Sequence, residues 1–395
     1  MSKYNFDEII DRKGTYSSKW DGLDRYFGTK EVLPLWVADT DFAPPREVVD
    51  ALNNRVQHNI YGYPIIEPEH YEPIIKWSKK RYGYDLDVNW IINTPGVVTG
   101  LCAAIQALTK EGDEIIIQSP VYPPFFSSVT NNNRKLVENE LINNNEIYEI
   151  DFDDLEKKAS SGNAKMLVLC NPQNPVGRVW NREELQRVID ICIKNNIIIF
   201  SDEIHGDIIY KNKKFNSLLS FSKEYYDNII VATAPSKTFN VPGLFFSYVI
   251  VPNQEFKNDI SRILTNLSIS PGNVFNIPAS VAAYEYGEEW LEELLIYLED
   301  NVDYLIDFVK ERLPQVKVVK PEGTYLAWLD FSELFESQEE LRNFLINEAK
   351  VGLNDGTTFG NKGNGFARLN FGCPRSVLKE GLERIEKALV NRNNK

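Results

Sequence analysis

The sequence predicts an α/β fold that carries a second, smaller α+β domain, and three observations lead there. Short β-branched runs, apolar on both faces, recur through the middle of the 395-residue chain. An amphipathic helical repeat separates two of them. Beyond residue 285 the pattern changes to one long helix followed by alternating stretches.

The runs are Glu114-Ile115-Ile116-Ile117-Gln118, Lys165 to Cys170, Ile197 to Phe200 and Asn228 to Ala232. Each is short and apolar throughout, as a parallel strand covered by helices on both sides must be. Between the second and third, Leu185, Val188, Ile189 and Cys192 recur at helical spacing from Glu183 to Asn196, which makes a βαβ unit. Upstream, Thr94-Pro95-Gly96-Val97 opens a helix containing Leu101, Ala104, Ile105 and Leu108. A further helix is expected from Glu288 to Leu313, stopped by Pro314, with strands at 324–329 and 366–371 and helices near 338–349 and 376–391. The Asn-rich segments 131–133 and 143–145 and the tail 391–395 read as surface loops or ends. The expected division is a large domain over 46–285 and a small domain from 1–45 with 286–395.

Composition narrows the function. There are 43 Lys+Arg against 57 Asp+Glu, a formal charge of −14, which argues against nucleic acid or an anionic membrane as partner. With three histidines (His58, His70, His205) and no HExxH, no metal site is expected. The four cysteines form no CxxC pair, the first residues lack an apolar signal stretch, and no uncharged run approaches the roughly 20 residues of a spanning helix. A soluble cytoplasmic protein with free thiols is the expectation. No GxGxxG follows a strand and no Walker A motif occurs, which removes a nicotinamide dehydrogenase and a P-loop enzyme.

Open α/β sheets bind ligands beyond the carboxyl ends of their strands. Cys170 leads into Asn171-Pro172-Gln173-Asn174-Pro175-Val176-Gly177, Phe200 into Ser201-Asp202-Glu203-Ile204-His205, and Ala232 into Thr233-Ala234-Pro235-Ser236-Lys237-Thr238-Phe239-Asn240. Singly, each has an ordinary explanation: a turn asparagine, a helix-capping aspartate, a solvated lysine. As a set they place an amide, a carboxylate, a lysine and a phosphate-ready helix start on one sheet edge. Pyridoxal phosphate requires those four groups.

NPxNPxG at 171–177, SDE at 201–203 and SKTFN at 236–240 resemble the class I/II aminotransferase-like, fold-type I pyridoxal-phosphate enzymes. Phe6-Asp7, Arg12-Lys13-Gly14-Thr15, Lys19-Trp20, Leu35 to Phe42, Tyr61-Gly62-Tyr63, Ser119 to Phe125, Asp202 to His205 and Phe366 to Arg375 resemble the MalY/PatB-type C–S lyase branch, the cystathionine β-lyases. The resemblance spans nearly the whole chain. It implies a cytoplasmic homodimer with active sites shared across the interface, whose substrate is an amino acid. The implied reaction is α,β-elimination from L-cystathionine or a related cysteine S-conjugate, giving a thiol, pyruvate and ammonia. An aminotransferase acting on aromatic or other amino acids, or a lyase-fold protein with an added regulatory protein-binding role, is the alternative.

The same resemblance assigns residues. Lys237 forms the Schiff base with the cofactor and then serves as the base at Cα; Asp202 pairs with the pyridine nitrogen; Asn174 bonds the phenolic oxygen; Tyr122 stacks on the ring. Gly96 and Val97 offer backbone N–H groups to the phosphate, joined by Ser236 and Thr233, with Ala234 standing where many relatives carry a hydroxyl. Tyr63, or else Tyr61, crosses to the neighbouring subunit's cofactor. Arg368 holds the substrate α-carboxylate, beside backbone from Ala38 and the amide of Asn174. His205 replaces the tyrosine of typical aminotransferases, and a structural or tuning role is expected for it.

Overall fold

The computed structural model describes residues 3–144 and 147–393; Asn145 of the expected 143–145 loop and the end of the tail, Asn394 and Lys395, lie outside them. Seven strands form the central sheet: β1 (Ile91–Thr94), β2 (Glu114–Ile117), β3 (Lys135–Glu138), β4 (Ala164–Cys170), β5 (Ile198–Asp202), β6 (Ile229–Thr233) and β7 (Ser247–Ile250). Their spatial order is β1-β7-β6-β5-β4-β2-β3. Only β7 runs against its neighbours; all other pairings are parallel.

The two-sided apolar pattern has a direct cause. Ile115, Ile117, Met166, Val168, Ile198, Phe200, Ile230 and Val249 belong to the core on one face of the sheet. The alternating residues Ile116, Leu167, Leu169, Ile199, Ile229, Val231 and Ile250 belong to the core on the other. Helices α1 (Val97–Leu108) and α2 (Gln254–Asn266) cover the first face. On the other lies α3 (Arg182–Lys194), which starts with a reciprocal cap between Asn181 and Glu184. Strands β1, β3 and β7 carry no expectation from the sequence. Two of them are four-residue segments with polar ends, and β3 is a half-exposed edge strand.

Helix α4 (Glu288–Arg312) ends beside Leu313 and Pro314. Beyond it, β8 (Lys317–Val318), β9 (Leu326–Asp330), β10 (Asn354–Asp355) and β11 (Phe366–Asn370) form an antiparallel sheet in the order β8-β9-β11-β10. Residues Leu33–Pro34 pair in parallel with Val351–Gly352 as a separate two-stranded sheet, which ties the N-terminal segment to the chain just before β10.

The NPxNPxG glycine joins the halves. Gly177 has φ +72°, and a Cβ there would lie 2.3 Å from Cβ of Pro321, while its carbonyl accepts from the Glu322 N–H at 2.8 Å. The small-sheet loop can therefore dock against the loop that carries Asn174. Among the described residues no helix is long and apolar enough to cross a membrane, and no three metal-ligating side chains cluster.

Candidate active site

Register alignment sets one polar edge on the sheet. Cys170 pairs with Asp202, Asp202 with Ala232, Thr233 with Tyr248, and Ser247 with Thr94. A cavity of about 530 Å³ opens there, lined by Ala38, Gly96, Val97, Tyr122, Asn174, Asp202, His205, Ser236 and Lys237 among others.

Lys237 lies on a single helical turn, Pro235–Thr238, just past β6. Its Nζ donates to the Ala38 carbonyl at 2.6 Å. Burial lowers its pKa from 10.5 to about 8; Asp39 and Asp202 oppose that fall and the positive Arg368 adds to it. Asp202 closes β5, buried, with one oxygen accepting from the Ile204 N–H at 3.1 Å. Burial pushes its carboxyl up to about 7, which a buried cation such as a protonated pyridine nitrogen would reverse.

Arg368, mid-strand on β11, is 4% exposed. Nη1 donates to Asn174 Oδ1 at 3.0 Å, and Nη2 donates to the Trp36 carbonyl at 3.0 Å and Asn354 Oδ1 at 2.7 Å. All three acceptors are neutral, and Nε is buried without a hydrogen-bond partner among the described residues. Burial draws the guanidinium down to about 10, so this cation suits an incoming carboxylate. Asn174 spends its oxygen on Arg368 and keeps its amide N–H groups for a second acceptor.

His205 is 3% exposed, its ring edge-on to Tyr325 at 5.6 Å and its Nδ1 without a hydrogen-bond partner among the described residues. Burial, with Lys237 and Arg368 nearby, depresses its pKa well below 6.5, which keeps the imidazole neutral. Tyr122 is half-buried, edge-on to Phe125 at 6.0 Å. Gly96 is extended at the N-cap of α1, and a Cβ there would meet no atom within 4 Å, so the space before the first helical N–H groups is open.

Other expected residues stand outside the cavity lining. Thr233 is buried at the end of β6, and its hydroxyl donates to the Glu203 carbonyl at 3.4 Å. Tyr63 is wholly exposed and makes no hydrogen bond or ring contact among the described residues. Tyr61 is engaged within its own chain, its O–H donating to the Val56 carbonyl at 2.9 Å and its ring 5.3 Å from Phe275.

The sequence reading missed the residues that hold the Ala38 segment. The Tyr325 O–H donates to the Ala38 carbonyl at 2.9 Å. Asn240 donates to the Thr40 and Phe42 carbonyls, and Asn370 to those of Val37 and Asp39. Each asparagine follows a site residue closely, Lys237-Thr238-Phe239-Asn240 and Arg368-Leu369-Asn370, and that spacing was the available signal.

The residues fit pyridoxal phosphate: a buried amine of lowered pKa, a carboxyl short of a countercharge, an amide with free donors and an open helix start face one cavity. Comparison with known proteins agrees. Cystathionine beta-lyase PatB of Bacillus subtilis (strain 168) is 40% identical over 385 residues, covering 98% of this chain and 100% of its own. A structure of a PLP-bound putative aminotransferase from Clostridium difficile 630 superposes with TM-score 0.96 at 45% identity, over 98% of this chain and 100% of that one. The PLP-bound C-S lyase from Staphylococcus hominis gives TM-score 0.91 at 37% identity, over 98% of each chain. The sequence pattern of aminotransferase class I and II matches residues 30–385. With the lysine, carboxyl and amide of the sheet edge in place, this chain belongs to the aminotransferase class I and II family.

Proposed function

We infer that this protein is a pyridoxal-phosphate-dependent carbon–sulfur β-lyase that cleaves L-cystathionine or a related cysteine S-conjugate. One observation carries the reading: Lys237, Asp202 and Asn174 line a single cavity, and Arg368, with no anionic partner among the described residues, bonds Asn174 beside it. Full-length relatives that include a cystathionine beta-lyase and a C-S lyase support it.

When bound, pyridoxal phosphate supplies an electron sink for the charge left at Cα. Asp202 supplies the countercharge at the ring nitrogen and Asn174 a donor to the phenolic oxygen. The first N–H groups of α1, from Val97 on, with Ser236 beside them, receive the phosphate. Arg368 holds the α-carboxylate. The Lys237 amine, with a pKa near 8, is present in both proton states around neutral pH. With cofactor and an amino-acid substrate bound, the Lys237 Nζ would be the group that accepts the Cα proton. The sulfur then leaves Cβ as a thiolate, and water converts the remaining three-carbon fragment to pyruvate and ammonia.

The remaining assignments belong to the same proposal. The proposed domains, 46–285 and 1–45 with 286–395, are supported by the separation of the seven-stranded sheet, within 91–250, from the four-stranded one, within 317–370. A homodimer in which Tyr63 reaches the partner subunit's cofactor suits the exposure and lack of contacts of that ring. Four unpaired thiols suit the cytoplasm. Incubation with L-cystathionine alone tests the reaction: pyruvate and free thiol should form in equal amounts. Amino exchange with a 2-oxo acid and no thiol release would assign the transamination reading instead.

A further inference from the structure

Four charged side chains lie behind the Ala38 carbonyl, and the chemistry above uses none of them. Lys19 is fully buried, its Nζ donating to Asp41 Oδ2 at 2.7 Å and lying 3.8 Å from Asp39 Oδ1. Arg12 grips both aspartates: Nη1 and Nη2 donate to Asp39 at 3.0 and 2.6 Å, and Nη1 also donates to Asp41 Oδ1 at 2.7 Å. Two cations and two anions sum to zero. A buried lysine is rare unless paired, and here it comes from the Lys19-Trp20 motif of the N-terminal segment. Trp20 Nε1 donates to Asp41 Oδ1 at 3.4 Å, and the Lys19 carbonyl accepts from Trp36 Nε1 at 3.2 Å.

Ala38 precedes Asp39 directly, and its carbonyl accepts from the Lys237 amine. The backbone on either side has no slack, because Asn370 holds Val37 and Asp39 while Asn240 and Arg12 hold Thr40. Charge reaches Lys237 along the same path: Asp39 follows Ala38 directly, and against the effect of burial it favours the protonated amine. The other groups facing this region are His205 and Tyr325 on the Lys237 side and Cys373 beside Asp41.

Resting on the cofactor reading above, we propose that Arg12, Lys19, Asp39 and Asp41 form a positioning device for Lys237. The cluster fixes the carbonyl that receives the amine, and its internal neutrality sets the charge that amine experiences. Removing a cation leaves a net −1 beside Lys237 and favours the protonated nitrogen. Removing an anion leaves +1 and disfavours it. A purely structural role would not produce opposite signs.

The test is a pH titration of the visible absorption of the holoenzyme, which reports the protonation of the same Lys237 nitrogen when it is bonded to the cofactor. Lys19→Met and Arg12→Met should move the midpoint up by about one pH unit, and Asp39→Asn should move it down by a similar amount, the size expected for one nearby unit charge in a partly screened site. Lys19→Arg and the neutral double variant Lys19→Met/Asp41→Asn should return it close to wild type. Arg12 retains some exposure, so its variant remains informative if Lys19→Met does not fold. Shifts of one sign in all single variants, or no shift, overturn the proposal. A wild-type protein with no visible absorption after pyridoxal phosphate is added overturns the cofactor reading instead, which separates the two failures.

Discussion

Replacing Asp202 by asparagine should make the cofactor-free protein more stable while weakening its hold on the cofactor. Burial raises this carboxyl from 3.8 to about 7, so ionising it in the folded chain costs about 4 kcal/mol more than in the unfolded chain, at roughly 1.4 kcal/mol per pH unit. The sign follows from the raised folded value. Below pH 4 both states are protonated and the penalty is absent; it grows as pH rises through 4 to 7 and is complete above 7. Asparagine resembles the protonated acid in shape, keeps an acceptor for the Ile204 N–H, and cannot ionise. Urea unfolding of cofactor-free wild type and Asp202→Asn, measured from pH 4 to 8, should therefore show curves that coincide at pH 4 and separate by up to about 4 kcal/mol at pH 8. Adding pyridoxal phosphate should reverse the order, because only the carboxylate stabilises a protonated ring nitrogen. A constant difference across that pH range, or a variant that is less stable at pH 8 without cofactor, would refute the reasoning.

Arg368→Lys should raise KM about a hundredfold with little change in kcat, since a lysine cannot keep the Asn174, Trp36 and Asn354 contacts and also fork a carboxylate; charged hydrogen bonds contribute roughly 1.5–3 kcal/mol each. Steady-state kinetics check this, and a substrate amide lacking the carboxylate charge should erase the difference between the two enzymes. Borohydride reduction of the wild type should fix the cofactor on Lys237, read by peptide mass, and Lys237→Ala should stay colourless. Tyr63→Phe should lose cofactor faster on dialysis with unchanged circular dichroism, whereas Tyr61→Phe should not, because the Tyr61 hydroxyl is bonded within its own chain. Equal retention by both variants would remove Tyr63 from the shared site.

What could be read from the sequence follows physical range. The strands expected at 165–170 and 197–200 were legible because their residues alternate between two apolar cores, so pattern alone specifies them. Lys237, Asp202 and Asn174 were legible because each follows such a strand within a few residues. Thr233 shows how local the signal is: as the last residue of β6 it obeys the sheet's alternation, and its hydroxyl turns to Glu203. Tyr325 was missed because its partner, Ala38, lies 287 positions away in the chain, a separation that no local pattern encodes. Lys19 and Arg12 were noticed as motif letters, but nothing in their neighbourhood announces that they close on Asp39 and Asp41.

The hydrogen bond between Arg368 and Asn174 spans 194 positions, and Asn370 clamps Val37 across 333. A ribosome makes the lysine, the carboxyl and the helix start well before it makes that arginine. On the proposed roles, the nascent chain carries the groups that would meet the cofactor before it carries the arginine proposed to hold the carboxylate. Order of synthesis then leaves substrate recognition until last.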